Sequence, residues 1–456
     1  MTRPLDSSDS GPAESLSRTA ASAAKSRRQL PTTFRALRHR NYRLYFFGQM
    51  ISLIGTWMQI IAQQWLVYRL TGSAAMLGMV SLLGILPLLP MSLWGGSLAD
   101  RFSKRTIIAV AQTVTMILAF ILAALTWTGT VQVWHVMVLS VALAAANAVD
   151  LPARQAFVVE MVEGKEDLTN AIGLNSAIFN GARAVGPALA GAAVALTGEA
   201  GAFFLNGVSF IPVIAGLLMM RLPPQPQVTR QTKLGSHLAE GARYVRSEQL
   251  VLVLISLVAV SAFLSMPYST LMPVFAGTVL KESAQPVLAF FCNGLNAWFG
   301  ASCQSPDALA YGLLMSATGL GALIGALFVA SLPANARRGR WLTVGNLSFP
   351  ALVILIALSR SFALTLILLV GVGLSFVAQN ALCNTLIQIT VPDGLRGRVM
   401  SFYTLTFTAM MRMGGMQAGL MGDRFGAPFA VGIGAAVCLA YGLFVAWRYP
   451  NVRQMV

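Results

Sequence analysis

Two arginines stand inside long apolar stretches: Arg183 in "NGARAVGPALAG" and Arg412 in "AMMRMGGMQAG". Each lies three residues before a glycine, Gly186 and Gly415. A guanidinium in such surroundings is costly and points by default to function. It suits a ligand bearing carboxylate, phosphate or catecholate oxygens. The alternative at both positions is structural: carbonyls or amides such as Asn180 satisfy the arginine, and it ties helices together. The acid nearest an apolar interior is Asp150, a candidate proton carrier because desolvation favours the protonated carboxyl. A denser cluster, "GSLADRFSKR" at 96–105, places one acid and three bases between two apolar runs.

Neutral polar residues recur at helical spacing. Gln59 and Gln63 are four apart and share a face. Asn147 stands alone, and Tyr268 accompanies Ser261 and Ser265 around Pro267 and Pro273. Asn380, Asn384 and Gln388 form one stripe beside Gln379. Amides turned toward lipid would cost several kcal/mol, so these faces are expected to turn inward. His39, His135 and His237 are scattered, and no His/Cys set has metal-ligand spacing. No phosphate-binding loop is present. Nothing here reads as an enzyme site, and no metal, cofactor or ATP-driven step is expected.

The elements that must position these residues follow from composition. The 456 residues are 56% hydrophobic and 11% charged. Mean hydropathy is +0.68. A soluble domain carries about 25% charged residues. About twelve stretches approach the roughly 20 apolar residues a membrane helix needs. They lie near 43–69, 75–99, 106–128, 132–151, 168–197, 200–220, 250–275, 308–332, 341–359, 361–388, 398–421 and 427–447. The fold expected is an all-α membrane protein, without the alternation of a β-barrel.

The net charge of +16 reports orientation rather than a nucleic-acid partner. With a cytoplasmic N-terminus, 26 of the 32 Lys and Arg fall in cytoplasmic segments, which satisfies the positive-inside rule. Both termini are then cytoplasmic. Residues 1–33 read as a disordered tail without a signal peptide. Residues 221–249 form a linker whose "HLAEGARYVRSE" has the spacing of an amphipathic surface helix. It divides the spans into 34–220 and 250–448, followed by a cytoplasmic tail at 449–456. Matching features in the two parts, such as Arg183 and Arg412, fit the internal symmetry of secondary transporters. Cys383 and Cys438 fall within spans. Cys292 and Cys303 fall outside, where either a disulfide or two free thiols is expected. The segment 281–308 reads as a long loop whose Phe290, Phe291, Trp298 and Phe299 rest on the interface or cap a cavity mouth.

The chain resembles the major facilitator superfamily over nearly all of 34–448. Gly96, Asp100, Arg101, Lys104 and Arg105 stand at the family's Gly-x-x-x-Asp-Arg-x-Gly-Arg-Arg positions, with Ser103 replacing the second Gly. "DLPARQAF" (150–157), "VPDGLRGRVMS" (391–401) and "FRALRHRNYRLYFFGQ" (34–49) resemble the bacterial exporter subgroup that includes the enterobactin exporter and the transmembrane secretion effectors. The resemblance implies two pseudo-symmetric bundles of six helices. It implies a cytoplasmic latch in which Asp100 faces the start of span eleven near Gly397 and Arg398, while Lys104 reaches Asp150. Spans one, four, seven and ten would line the cavity, giving Gln59, Gln63, Asn147, Tyr268, Asn380 and Asn384 as substrate-binding candidates beside Arg183 and Arg412. Gly186, Pro187 and Gly191 resemble the antiporter motif that seals the interface between halves. The arginine usual within span four of drug exporters and an acid in span one are missing. The charged loop of the second half has lost its acid near Ala334. The activity implied is export of a small amphiphilic, siderophore-like metabolite or drug across the bacterial inner membrane by alternating access, in exchange for protons. The expected form is a monomer among membrane lipids. A lipid flippase, or a non-transporting sensor or scaffold, is the alternative.

Overall fold

Uncharged runs rich in Leu, Ala, Val and Gly satisfy their backbone internally, so they become helices. The computed structural model describes residues 32–87, 102–162, 164–221, 234–299, 303–333 and 335–455, and among these there is no strand. The helices are α1 (Arg40–Thr71), α2 (Ala74–Leu83), α3 (Lys104–Trp127), α4 (Val133–Glu160), α5 (Lys165–Met219), α6 (Leu234–Ser247) and α7 (Gln249–Val279). They continue as α8 (Lys281–Phe299), α9 (Pro306–Ala330), α10 (Arg338–Leu358), α11 (Phe362–Thr390), α12 (Asp393–Phe425) and α13 (Ala427–Arg448). Nine of the described helices are long and apolar enough to cross a membrane. Two expected spans share α5. The expected span at 398–421 is the helix α12, which is not among those nine. The span expected at 75–99 is described only as far as residue 87.

Glycines with positive φ turn the chain at one end of the bundle: Gly72, Gly129, Gly198 and Gly426. We call this the far end; the opposite end carries Thr32–Arg38 and Asn451–Gln454. Gly198, at φ 72°, breaks α5 into two arms. The Tyr42 hydroxyl donates to Ala171 O, and Gly186 lies against Trp57, so the first arm runs parallel to α1. Gly48 meets Val213 and Gly55 meets Ser209, so the second arm runs antiparallel to it. At the opposite end Asp167 receives Arg35 at 2.9 Å, Arg38 at 2.6 Å and His39 at 2.7 Å, fastening the N-terminal segment to α5.

Two expectations are corrected. Span four was placed to end at 151, but α4 continues through Pro152 to Glu160. This carries Arg154 into the helix one turn from Asp150, instead of into a cytoplasmic connection. The long loop expected after span seven is largely the helix α8: Ala284 and Leu288, four apart, are buried while Phe290 is 75% exposed. Ser103, at the family's glycine position, is the N-cap of α3, its hydroxyl accepting from Thr106 N at 3.2 Å. In α7, π-helical turns at Ser261–Ser265 and Phe275–Val279 flank Pro267 and Pro273. Such turns let a proline-containing helix bend without losing its backbone partners.

Two groups of helices, α1–α5 and α7–α13, meet along two glycine-lined seams. Between α2 and α12, a Cβ on Gly78 would sit 2.5 Å from Gly415 O, and one on Gly419 2.5 Å from Ala74 O. Between α5 and α9, a Cβ on Gly312 would sit 2.4 Å from Pro187 O, and one on Gly319 2.3 Å from Arg183 O. Small residues permit this approach where lipid supplies no hydrophobic drive. Toward the opposite end, Gly173 and Gly181 on α5 and Gly394 and Gly397 on α12 face open space. Among the described residues, the groups are pressed together at the far end and make no such glycine contact at the other.

Candidate functional site

A cavity of about 330 Å³ lies between α1, α2, α3, α4, the second arm of α5 and α12. Four of the expected binding residues line it: Gln59, Gln63, Asn147 and Arg412. Gln63 sits one turn after Gln59 and donates to Ser140 Oγ at 2.8 Å. Gln59 is 5% exposed and accepts from Asn206. Arg412 reaches across from α12, donating from Nη1 to Ser81 O at 2.6 Å. Its guanidinium fits only because residue 84 is glycine, where a Cβ would stand 2.2 Å from Nη1. Its Nε is buried without a hydrogen-bond partner.

The other expected residues are elsewhere. Arg183 lies between the rings of Trp57 and Phe376, 5.8 Å from each centroid. This cation–π sandwich spans the two groups of helices. Tyr268 is buried against Phe349 at 6.3 Å. Asn380 accepts from Tyr403 OH at 3.1 Å, and Asn384 from Gln388 at 2.5 Å. Gln379 donates to Ser261 and Asn346, both at 2.8 Å. None of Arg183, Tyr268, Asn380 or Asn384 lines this cavity.

Sequence reasoning left out Gln64, Thr115, Ser140 and Asn206, which do line it. Gln64 accepts from Tyr311 of α9, another bond across the groups. The available signal was polarity within an apolar run. Thr115 and Asn206 fall in the third and sixth expected spans, outside the four that the resemblance makes cavity-lining.

Gly96, Asp100 and Arg101 of the charged cluster lie outside the described residues. Lys104 does not meet Asp150 here; it pairs with Glu160, nearer the end of α4. Arg105 donates to Leu218 O at 2.7 Å and Met220 O at 3.2 Å. Arg398 pairs with Glu240 of α6, and Gly241 packs so closely on Arg398 O that a Cβ would lie 2.7 Å away. Asp150 is 1% exposed. Its Oδ2 accepts from Gln112 at 3.0 Å and from Arg154. Its Oδ1 has no hydrogen-bond partner. Gln112 in turn accepts from Ser52 Oγ at 3.4 Å. Span four therefore does hold an arginine, which the shorter span boundary had hidden.

At the interface motif, Gly186 admits Trp57, Pro187 O touches Gly312, and Gly191 approaches Leu309 Cα. Cys292 and Cys303 are joined by a disulfide, and Gln304 N donates to Ala195 O at 2.7 Å across the groups. Among the described residues, no three His, Cys, Asp or Glu side chains gather as a metal site requires.

The family model described as transmembrane secretion effector matches residues 31–305 and 300–455. The chain belongs to that family, within the major facilitator superfamily. A relative of this chain is the multidrug efflux pump Tap of Mycobacterium tuberculosis. It is 27% identical over 421 residues, 90% of this chain and 94% of that protein. The staphyloferrin A transporter of Staphylococcus aureus is 29% identical over 180 residues, 39% of this chain and 45% of that protein. Among solved structures, the nucleoside transporter NupG has a TM-score of 0.65 at 15% identity, covering 92% of this chain and 99% of that one. A bacterial homologue of the lysosomal transporter Spinster, inward-facing and occupied, has a TM-score of 0.63 at 15% identity, covering 92% and 97%. These likenesses fix the major facilitator fold in a multi-pass membrane protein.

Proposed function

We propose that this chain exports a small amphiphilic metabolite or drug across the bacterial inner membrane by alternating access. The observation that carries the reading is the cavity between α1, α2, α4 and α12, largely apolar with amides set into its wall, and a cation reaching into it from the opposite group of helices. A ligand there touches both groups and so is sensitive to their relative position, which is what coupling binding to rocking requires. Tap and the staphyloferrin A transporter, named for drug efflux and siderophore transport, favour the same substrate range. The charge distribution supports cytoplasmic termini, which makes the open end the inner one and this conformation inward-facing. The moving bodies are 34–220 and 250–448, joined by the linker at 221–249. The cluster of Gly96, Asp100, Arg101, Lys104 and Arg105 closes the cytoplasmic end by meeting the start of α12 when the cavity opens outward.

Protons drive the exchange, and Asp150 is their carrier. With Oδ2 holding Gln112 and Arg154, Oδ1 is the free position for a proton, and protonation weakens the hold on Arg154. The test is cellular accumulation of a siderophore-type anion and of lipophilic drugs, with and without expression of the chain. Lower accumulation of at least one class on expression, reversed by a protonophore, is expected. Equal accumulation of every class would overturn the export reading.

A further inference from the structure

Asp423 stands at the C-terminal end of α12, at the far end of the molecule. Its carboxylate accepts from Ser73 Oγ at 2.5 Å, Ala74 N at 2.6 Å and Ala75 N at 3.1 Å. Ser73 is the N-cap of α2, and the two amides are its first backbone donors, which have no partner within their own helix. An acid from one group of helices therefore caps the N-terminus of a helix in the other, where the helix dipole favours negative charge. The same seam is closed just below by Gly419 against Ala74 and Gly78 against Gly415.

The surrounding sequence is not arbitrary. Gly419-x-x-x-Asp423-Arg424-Phe425 repeats Gly96-x-x-x-Asp100-Arg101-Phe102, and Gly426 supplies the glycine that Ser103 replaces in the first copy. One copy ends the second span and the other ends the eleventh. The contacts run Ala74–Gly419, Gly78–Gly415 and Gly84–Arg412, so α2 and α12 are antiparallel. In an antiparallel pair the C-terminal end of each helix lies beside the N-terminal start of its partner. The acid that follows α12 is thereby delivered to the start of α2.

We propose that Asp423 is the latch of the far end: it holds that end shut by capping α2 and lets go when the two groups part there. The inference rests on the alternating-access reading, because a contact between two rocking bodies must break once per cycle. Three hydrogen bonds to a carboxylate, one end of which is open to solvent, bias the equilibrium toward the closed far end by about tenfold or more. Asp100, at the matching place in the other copy, would take the reciprocal part at the cytoplasmic end.

The experiment is pulsed dipolar spectroscopy on full-length protein in lipid nanodiscs. Spin labels go at Thr130→Cys and Arg360→Cys, exposed positions on far-end turns of the two groups. The native Cys292 and Cys303 are bonded, and Cys383 and Cys438 are buried. The expected result is a dominant short distance with a minor long one, and a long-to-short ratio raised about tenfold by Asp423→Ala. Asp423→Asn, which keeps the side chain's volume and one acceptor, should shift the ratio in the same direction by less, and it serves if the alanine variant fails to insert. Ser73→Ala should give a smaller shift still. A wild type that populates both distances while the Asp423 variants leave the ratio unchanged overturns the latch alone. A single distance in the wild type, unmoved by pH or added transport ligand, overturns alternating access and the latch with it.

Discussion

Replacing Arg412 with Met keeps a long flexible side chain but removes the cation from the cavity. In the structure Nη1 is committed to Ser81 O at 2.6 Å, while Nε is buried and unpartnered. A ligand oxyanion that reaches the guanidinium from the cavity would gain a charge-assisted hydrogen bond. Such a bond contributes about 1.5–3 kcal/mol, which corresponds to about 10- to 150-fold in affinity. The variant should therefore raise the Kd for an anionic catechol or carboxylate ligand by that factor and leave a neutral ligand of similar size within about twofold. Arg412→Lys should lie between the two, since it keeps the charge and loses the planar fork. The assay is equilibrium binding to purified protein by scintillation proximity, with size-exclusion profiles confirming that the variants remain folded. Equal loss for anionic and neutral ligands would show that Arg412 only clamps α12 to α2. No loss for either would remove it from the binding site.

Asp150→Asn should abolish the response of transport to a pH gradient while preserving ligand binding, measured as counterflow against net efflux; unimpaired gradient-driven efflux would exclude Asp150 as the proton carrier. Gly312→Val places a branched side chain where a Cβ already meets Pro187 O at 2.4 Å, so the far end cannot close. Transport should be lost at normal membrane levels, whereas Gly173→Ala, facing open space, should transport like wild type. Cys292→Ser opens a loop with a sequence separation of 11, removing about 3 kcal/mol of chain-closure stabilisation. Its melting temperature should fall by several degrees, and a reductant should lower the wild type to match without further lowering the variant.

The membrane class, the helical character of the long apolar runs and the family were legible, because such runs have few alternatives to helix and because Asp100 and its neighbours keep a recognisable spacing. Four things were not legible, each for a physical reason of its own. The helix α8 has an apolar stripe of only a few residues, and Gly294, Asn293 and Asn296 within it resemble loop composition. Arg154 follows Pro152, which reads as a helix end, yet a proline is tolerated where neighbouring helices support the backbone, so span four continues. The partner of a charge is also hard to infer from spacing: Asp150 and Glu160 stand ten residues, about 15 Å, apart on α4, and Lys104 meets the one at the helix end. Arg183 and Arg412 looked equivalent by symmetry. They separate only in three dimensions, where aromatic rings enclose one and a cavity adjoins the other.

Gradient-driven export is tested by uptake into everted membrane vesicles with an imposed pH gradient, acid inside. An anionic catechol siderophore, a lipophilic cation and a fluorescent phospholipid are offered side by side. A proton-coupled exporter takes up the siderophore or both soluble ligands, loses that uptake when the gradient is dissipated, and moves no lipid. Gradient-independent translocation of the phospholipid alone would contradict it and identify a flippase in its place.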